Sequence, residues 1–350
     1  MKSRVSSVIL FGICSLAHAY PRSDLPSIRF DHKDWELVCD NTRTCRAAGY
    51  SAEGEDNRIS ILLTRRAGPN ELVTVEVQPA TFDDGNGTAT PPATLTMAID
   101  GRGLGRVRLD SDTGIGKLSA DQVRALLPAL LKDTAITWSG AGHTWKLSTA
   151  GSTAVLLKMD EFQGRVSTPG ALARKGSNPE GGVLPPLPKP VIDAARVPPG
   201  DPSVTLAAPQ MRNLLSELRA VSGDDCGQLA AYGKDGNTLS LSRLTAGKFL
   251  VEYTCAQGAY NTANGFWVVN ATAPYTPVLV TDFGSEYTDG IVTAAQRGRG
   301  IADCMSFEEW VWDGRTFTQS RSASTGMCRA IARGGTWDLP TIVTQVRKKK

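Results

Sequence analysis

The sequence predicts a mainly β protein with a few helices, a β-rich α+β fold made of two disulfide-stapled domains joined by a proline-rich linker. Three observations support this fold class. Many short segments alternate β-branched and polar residues, an even number of cysteines remains after a leader segment, and one internal stretch concentrates the prolines. We therefore expect two separate cores, each rich in strands.

The N-terminal domain, residues 20–165, is predicted to place strands before helices. Alternating strands are expected in the segments RISILLTRR, ELVTVEVQP, ATLTMAID and GRVRLD. The segment LSADQVRALLPALLKD predicts a helix because Ser119 and Gln122 have capping-box spacing. Pro128 should bend or end this helix early. A tryptophan hairpin and a second helix, GSTAVLLKMDEFQG, complete the domain.

Residues 166–205 are predicted to form the linker. This stretch holds nine of the twenty prolines and has almost no periodic apolar pattern. Proline fixes φ and lacks a backbone N–H, so such a segment favours an extended, partly polyproline conformation. We expect a mobile connector that proteases cut first.

The C-terminal domain, residues 206–350, is predicted to begin with a helix and to continue as antiparallel sheet. The helix is expected in APQMRNLLSELRAVSG, where Pro209 fits the first turn and leucines follow one face. Strand-like segments follow, among them KFLVEYTC, GFWVVNA and EEWVWDG. Asp235-Gly236 and Asp313-Gly314 are predicted to lie in hairpin turns, and a two-residue turn at the second would place Trp312 opposite Arg315.

The first nineteen residues have the layout of a secretory signal peptide, assigned to residues 1–19. Lys2 and Arg4 precede a short apolar core, and Ala17-His18-Ala19 fits a small-x-small cleavage site. Cleavage after Ala19 would place the mature chain in the periplasm or outside the cell. No later stretch has 18 uninterrupted apolar residues, so we expect no transmembrane segment in the mature chain.

The charge of the chain argues against a nucleic-acid partner. Removing Lys2 and Arg4 with the signal leaves 36 of the 38 basic residues against 35 acidic ones. The remaining basic excess depends on the C-terminal RKKK tail. A nearly neutral chain lacks the broad basic face that phosphate backbones require.

The six mature cysteines predict a disulfide framework and no metal or other cofactor. They are Cys39, Cys45, Cys226, Cys255, Cys304 and Cys328. No CxxC pair exists, and the mature chain holds only His32 and His143 as histidine ligands. A Cys39–Cys45 bond would clasp a hairpin across the turn DNTR. Fifteen connectivities are possible for six cysteines, and sequential pairing closes the shortest loops.

Catalytic motifs are scarce. There is no G-x-S-x-G elbow, and neither histidine lies in a pattern typical of a catalytic base. These observations favour an exported, non-catalytic binding or interaction protein. The alternative is a hydrolase that acts on envelope glycans through two carboxylates, since such pairs assemble in space rather than in sequence. Neighbouring acids such as Glu308-Glu309 do not form such a pair locally, because adjacent strand residues point to opposite faces.

Two cysteine-flanked loops are the candidate binding sites. CAQGAYNTANGFW contains Tyr260 and Asn261, and RGRGIADCMSFEEWVW contains Arg299 and Asp303. Disulfide-pinned loops rich in glycine, aromatic and amide groups suit recognition of a polar ligand or an envelope protein. The alternative is a tight loop that buries Tyr260 and Trp267 in the core.

Several cysteine-flanking stretches resemble a known family. FDHKDWELVCDNTRTCRAAGY, GAYNTANG, RGRGIADC, WDGRTF and GMCRAIARGGTWDLPT are similar to a family of exported bacterial proteins known only as a domain of unknown function. The resemblance covers nearly the whole mature chain and implies export and six paired cysteines, but no catalytic residue. The N-terminal part also resembles the invasion-associated locus B proteins of bacterial envelopes, although the later cysteines of that family are missing between Cys45 and Cys226.

Overall fold

The computed structural model of the chain describes residues 26–81, 92–198, 204–223, 226–233 and 238–348. The predicted signal peptide and the Asp235-Gly236 turn lie outside these residues. The described chain is mainly β with three α-helices, as the sequence predicts. Its strands form four larger sheets and one two-stranded ribbon.

The N-terminal half contains two antiparallel sheets. Sheet 1 has the strand order β1-β2-β3-β4-β5-β8, and sheet 2 has the order β10-β9-β6-β7. The elements are β1 (Ile28–His32), β2 (Trp35–Cys39), β3 (Cys45–Tyr50), β4 (Ile59–Arg65), β5 (Thr74–Pro79), β6 (Thr94–Ile99), β7 (Arg102–Arg108), β8 (Gly116–Lys117), α1 (Ala120–Ala129), β9 (Ile136–Gly140), β10 (His143–Leu147) and α2 (Ser152–Phe162).

Local sequence signals explain the boundaries of α1. Ser119 accepts a hydrogen bond from the backbone N–H of Gln122, whose side chain accepts one from the Ser119 N–H. This capping box confirms the predicted helix start. Pro128 lies inside the last turn, and the helix ends at Ala129. Its buried face joins the N-terminal core formed by both sheets and α2.

The C-terminal half contains the other two larger sheets. Sheet 3 has the order β12-β13-β14-β15, sheet 4 has the order β16-β17-β18-β19-β20, and β11 pairs in parallel with β21. The elements are β11 (Val191–Ala194), α3 (Ala208–Ser222), β12 (Ser240–Arg243), β13 (Lys248–Gln257), β14 (Thr262–Asn270), β15 (Val278–Gly284), β16 (Glu286–Thr288), β17 (Ile291–Arg297), β18 (Met305–Trp312), β19 (Phe317–Ser324), β20 (Leu339–Val343) and β21 (Gln345–Lys348).

Successive side chains of β14 alternate between two hydrophobic cores. Trp267 and Val269 face α3 and its buried leucines, whereas Phe266 and Val268 face sheet 4. A strand with both faces buried reads as a continuous apolar run, which the segment GFWVV shows. Sheet 3 is therefore a central layer between α3 and sheet 4.

The segment predicted as the linker is hydrogen-bonded to the N-terminal half over its first part. Asp160 on α2 accepts the backbone N–H groups of Leu172 and Ala173, at 2.7 and 2.8 Å. The Arg165 guanidinium is fully buried and donates to the Gly68 carbonyl. The division of the chain into two domains at this segment stays a prediction.

The three disulfides join Cys39 to Cys45, Cys226 to Cys255 and Cys304 to Cys328, which confirms sequential pairing. The predicted hairpin at Asp313-Gly314 is confirmed, but its turn is longer than two residues. Trp312 pairs with Phe317, so the turn has four residues. The Asp313 carboxylate accepts the N–H groups of Arg315 and Thr316, which stabilises this longer turn.

Gly265 on β14 gives a direct test of the packing around Trp267. A Cβ at Gly265 would lie 2.1 Å from the Trp267 ring and 2.6 Å from the Cys255 sulfur. We expect Gly265→Ala to lower the free energy of unfolding by about 2–3 kcal/mol, because the core must be overpacked. Gly103→Ala is the control, since a Cβ at that strand glycine meets nothing within 4 Å. Urea unfolding curves would measure both, and equal effects would contradict the packing.

Candidate functional site

Two of the predicted loops meet beside the Cys304–Cys328 disulfide. The Asn261 side chain donates to the Arg297 carbonyl and accepts the Arg297 N–H, both at 2.9 Å. Gly298 lies against the disulfide, because a Cβ there would be 2.6 Å from the Cys304 sulfur. Asn261 therefore links the two loops, and both the nitrogen and the oxygen of its side-chain amide form the hydrogen bonds that hold them together.

Arg299 and Asp303 form an ion pair within the second loop. The guanidinium Nε donates to Asp303 Oδ1 at 2.7 Å, and Nη2 donates to Oδ2 at 2.5 Å. Asp303 also accepts the Ala330 N–H and is fully buried, whereas the Arg299 side chain is 44% exposed. These contacts hold the pKa of Asp303 below its usual range despite the opposing effect of burial. Asp303 thus anchors the loop, and Arg299 presents part of its cation to solvent.

A third loop closes the arrangement. Residues 326–336 carry Cys328 of the disulfide, and the Gly334 N–H donates to the Ala302 carbonyl at 2.7 Å. Exposed side chains rise from all three loops. We call this set the arginine loop surface, which consists of Tyr260, Arg297, Arg299, Ile301 and Arg333.

The arginine loop surface contains two large exposed apolar groups. Tyr260 is 45% exposed and Ile301 is 43% exposed. The Tyr260 ring lies next to Gly300, whose Cβ position would be 3.7 Å from the ring. Trp267 is buried in the core, as the alternative of a tightly packed loop predicted. The same prediction is wrong for Tyr260, which lies at the loop tip beyond the end of β13.

Asp303, Cys304 and Cys328 place potential metal-ligand atoms within 4.8 Å of one another. These residues do not fit a metal site in this state. Both sulfurs are bonded to each other, and both Asp303 oxygens accept hydrogen bonds. The group is therefore the structural base of the arginine loop surface.

Sequence reasoning missed a polar joint between the two halves. We define this joint as Arg29, Glu36, Tyr50, Glu308 and Met327. Tyr50 donates to Glu36 at 2.6 Å, and the Met327 N–H donates to the same carboxylate oxygen at 2.7 Å. Burial raises the pKa of Glu36 above its usual range, while these hydrogen bonds oppose that shift.

Glu308 belongs to the same joint from the C-terminal side. It lies on β18, accepts a hydrogen bond from the Gln319 side chain, and has its pKa raised by burial. Arg29 on β1 is electrostatically coupled to both Glu36 and Glu308 and donates to Ser324 at 2.7 Å. Each of the five residues of the joint has a hydrogen-bond partner within the protein, so its arrangement serves the contact between the halves.

The raised pKa of Glu36 predicts a pH-dependent stability difference between the wild type and Glu36→Gln. The Glu36 carboxylate takes up its proton at a higher pH in the folded protein than in the unfolded chain. Lowering the pH from the folded pKa to the unfolded pKa of Glu36 therefore stabilises the folded state. We expect the wild type to gain stability relative to Glu36→Gln as the pH falls from 7 to 4. Glutamine keeps an acceptor for Tyr50 and Met327 but cannot titrate. Urea unfolding at both pH values would measure the difference, and a relative loss for the wild type on acidification would contradict the assignment.

A cleft of about 970 Å³ lies on the outer face of sheet 4 and is called the outer cleft. Its lining includes Glu286, Thr293 and Glu309, which are cross-strand neighbours in one row over β16, β17 and β18. Two strand spacings separate the Cα atoms of the glutamates by about 10 Å. None of the described residues that line the outer cleft is aromatic.

The described helices are all too short or too polar to cross a membrane.

The fold and the loop geometry together define a disulfide-stapled, β-rich protein that presents an arginine loop surface. Residues 29–344 match the family described as "Protein of unknown function (DUF1176)". The chain belongs to this family, which confirms the predicted resemblance.

One relative is similar along most of its length. The uncharacterized protein YpfG of Escherichia coli (strain K12) is 27% identical over 330 residues, which cover 84% of this chain and 87% of YpfG. No solved structure matches the chain. The likeness of the N-terminal part to invasion-associated locus B proteins is not supported by these matches and stays a prediction.

Proposed function

We propose that this chain is an exported, non-catalytic binding protein of the bacterial envelope and that it contacts its ligand through the arginine loop surface. The observation that carries the proposal is the convergence of three loops, distant in sequence, on one disulfide. They leave Tyr260 and Ile301 exposed on a hydrogen-bonded base. Exposed aromatic and arginine side chains on a preorganised base are typical of recognition surfaces.

Export is part of the proposal and has two supports. Residues 1–19 have the layout of a signal peptide, and six cysteines are paired in three disulfides. Disulfides persist mainly in oxidising compartments such as the periplasm or the extracellular space. Edman sequencing of the protein purified from a periplasmic extract would test this, with a new N-terminus at Tyr20 as the expected result.

The alternative function is a hydrolase for envelope glycans. One observation favours it, namely that Glu286 and Glu309 stand in one cross-strand row of the outer cleft, so two carboxylates face the same cleft, as a glycosidase requires. Glu309 accepts a hydrogen bond from Ser320, and the described lining provides no aromatic floor for a sugar ring. Release of soluble sugar from envelope material that stops in Glu309→Gln would support the hydrolase instead of the binding protein.

The direct test of binding is sedimentation of purified protein with isolated envelope. We expect the variant Tyr260→Ala/Ile301→Ser to bind about tenfold more weakly than the wild type, because both apolar contacts are lost. The control variant Leu72→Ser/Val278→Ser removes two other exposed apolar side chains, which are 84% and 52% exposed. It should bind like the wild type. Equal binding by both double variants would overturn the proposed surface.

A further inference from the structure

We infer that the exposed proline-rich segment 184–190 is a second docking surface, which fits a partner protein with a groove lined by aromatic side chains. The inference goes beyond the proposed function, because it concerns residues outside the arginine loop surface. We call this docking surface the proline ridge, which consists of Pro185, Pro186, Pro188 and Lys189.

The sequence of residues 184–190, LPPLPKP, favours a polyproline II helix. Each proline fixes its own φ at about −65° and restricts the residue before it to extended backbone angles. Every residue of this segment is either a proline or directly precedes one. Residues 184–190 form neither an α-helix nor a strand, and none of them has a positive φ. The segment therefore matches the left-handed polyproline II helix, which has three residues per turn and no internal hydrogen bonds.

Side-chain burial along the segment repeats every three residues, as expected for a polyproline II helix that lies with one side against the protein. Leu187 and Pro190 are half-buried, whereas the four residues of the proline ridge are exposed. Leu184, one turn before Leu187, packs on Gly164, where a Cβ would be 3.3 Å from the leucine side chain. One row of side chains therefore faces the protein, and the other two rows face solvent.

Hydrogen bonds to the rest of the chain hold the segment in place. The Leu187 N–H donates to the Thr42 carbonyl at 3.2 Å, and the Arg43 side chain donates to the Pro185 carbonyl at 2.9 Å. Further backbone hydrogen bonds fix both ends of the segment. The proline ridge is therefore ordered before a partner binds, so binding costs little additional conformational entropy.

The proline ridge has the spacing that aromatic-lined grooves recognise. Pro185 and Pro188 are three residues apart, so their rings lie on one side of the helix, about 9 Å apart along its axis. SH3 and WW domains bind such PxxP segments by packing the proline rings between aromatic side chains. Lys189 adds an exposed cation beside this pair, which favours a groove with acidic residues at its rim.

The alternative is that the segment only ties the two halves of the protein together. Thr42 lies in the N-terminal half, and Gln345, whose N–H donates to the Pro190 carbonyl at 2.8 Å, lies in the C-terminal half. These ties use the backbone and the inward row of side chains. They leave the proline ridge exposed, and its PxxP spacing is explained by a partner.

The test uses two isotope-labelled probes with different aromatic grooves, an SH3 domain and a WW domain. The unlabelled intact protein is titrated into each probe, and the NMR signals of the groove residues of the probe are followed. We expect these signals to shift in a saturable way in at least one probe. The absence of a saturable groove shift in both probes would overturn the inference.

Matched variants assign the contact to the proline ridge. Pro185→Ala/Pro188→Ala should weaken binding to the groove by about tenfold, because both rings of the PxxP pair are lost. The control Pro69→Ala/Pro209→Ala removes two other exposed prolines and should bind like the wild type. Equal binding by the two double variants would overturn the inference. Binding of a free peptide of residues 183–191 without binding of the intact protein would also overturn it, because the ridge would then be covered.

The outcome separates this inference from the proposed function. Envelope binding that depends on Tyr260 and Ile301, without a groove shift in either probe, would keep the binding protein and overturn the proline ridge. Groove shifts that depend on Pro185 and Pro188, with envelope binding that does not depend on Tyr260 and Ile301, would keep the proline ridge and overturn the arginine loop surface. Circular dichroism spectra identical to the wild type are the criterion for including a variant.

Discussion

Asp160→Ala should destabilise the protein by about 3–5 kcal/mol, because it removes the buried carboxylate that pairs with Arg65. Asp160 is fully buried, lies 3.8 Å from Arg65, and accepts the N–H groups of Leu172 and Ala173. Burial, and then the neighbouring Arg165 cation, lower the pKa of Arg65 to about 10. Truncation would therefore leave buried Arg65 without its ion-pair partner, next to the Arg165 cation, and release the segment after α2.

The control for this prediction is the next residue on the same helix. Glu161 forms an exposed ion pair with Lys158 at 3.2 Å. Glu161→Ala should change the free energy of unfolding by less than about 0.5 kcal/mol, since exposed pairs contribute little. Urea unfolding followed by tryptophan fluorescence would measure both variants. A small effect of Asp160→Ala would contradict the buried network, and limited proteolysis should show faster cleavage within residues 166–184 in that variant.

Cys304→Ser/Cys328→Ser should cost about 3.5 kcal/mol and also weaken binding at the arginine loop surface. The bond closes a loop with a sequence separation of 24, and removing it restores chain entropy to the unfolded state. Gly298 packs on the sulfur atoms of this disulfide, and Asp303 directly precedes Cys304 in the sequence. Loss of the bond should therefore loosen the base that holds the arginines.

The matched variant is Cys39→Ser/Cys45→Ser in the hairpin of β2 and β3. Its bond has a sequence separation of 6, for which chain entropy predicts a smaller loss of about 2 kcal/mol. This disulfide belongs to the N-terminal core, so envelope binding should be retained. Stability from denaturation curves and binding from sedimentation would measure the two variants. Equal binding by both would show that the Cys304–Cys328 bond does not organise the surface.

Local features of this fold were predictable from the sequence because their causes are local. The capping box of Ser119 and Gln122 and the clasp of Cys39 and Cys45 depend on spacings of a few residues. The four-residue turn after Trp312 was missed because the Asp313 side chain competes for the backbone donors. A dipeptide signal carries no information on that competition.

The candidate site was predicted only in part. Cysteine-flanking loops rich in glycine pointed to Tyr260 and Arg299, but the roles of Asn261 and Asp303 as internal anchors follow from tertiary contacts. Glu36 and Met327 of the polar joint are 291 residues apart in the sequence, so no local sequence pattern predicts their hydrogen bond. Arg333 was missed because its loop meets the others through tertiary contacts, among them the hydrogen bond from Gly334 to Ala302.

The most direct test of the binding surface is hydrogen–deuterium exchange with and without isolated envelope. The account predicts slower amide exchange on binding in residues 256–262, 297–304 and 326–336, with residues 284–295 of the outer cleft unchanged. Protection of the outer cleft without protection of the three loops would contradict the account and would support the carboxylate hydrolase.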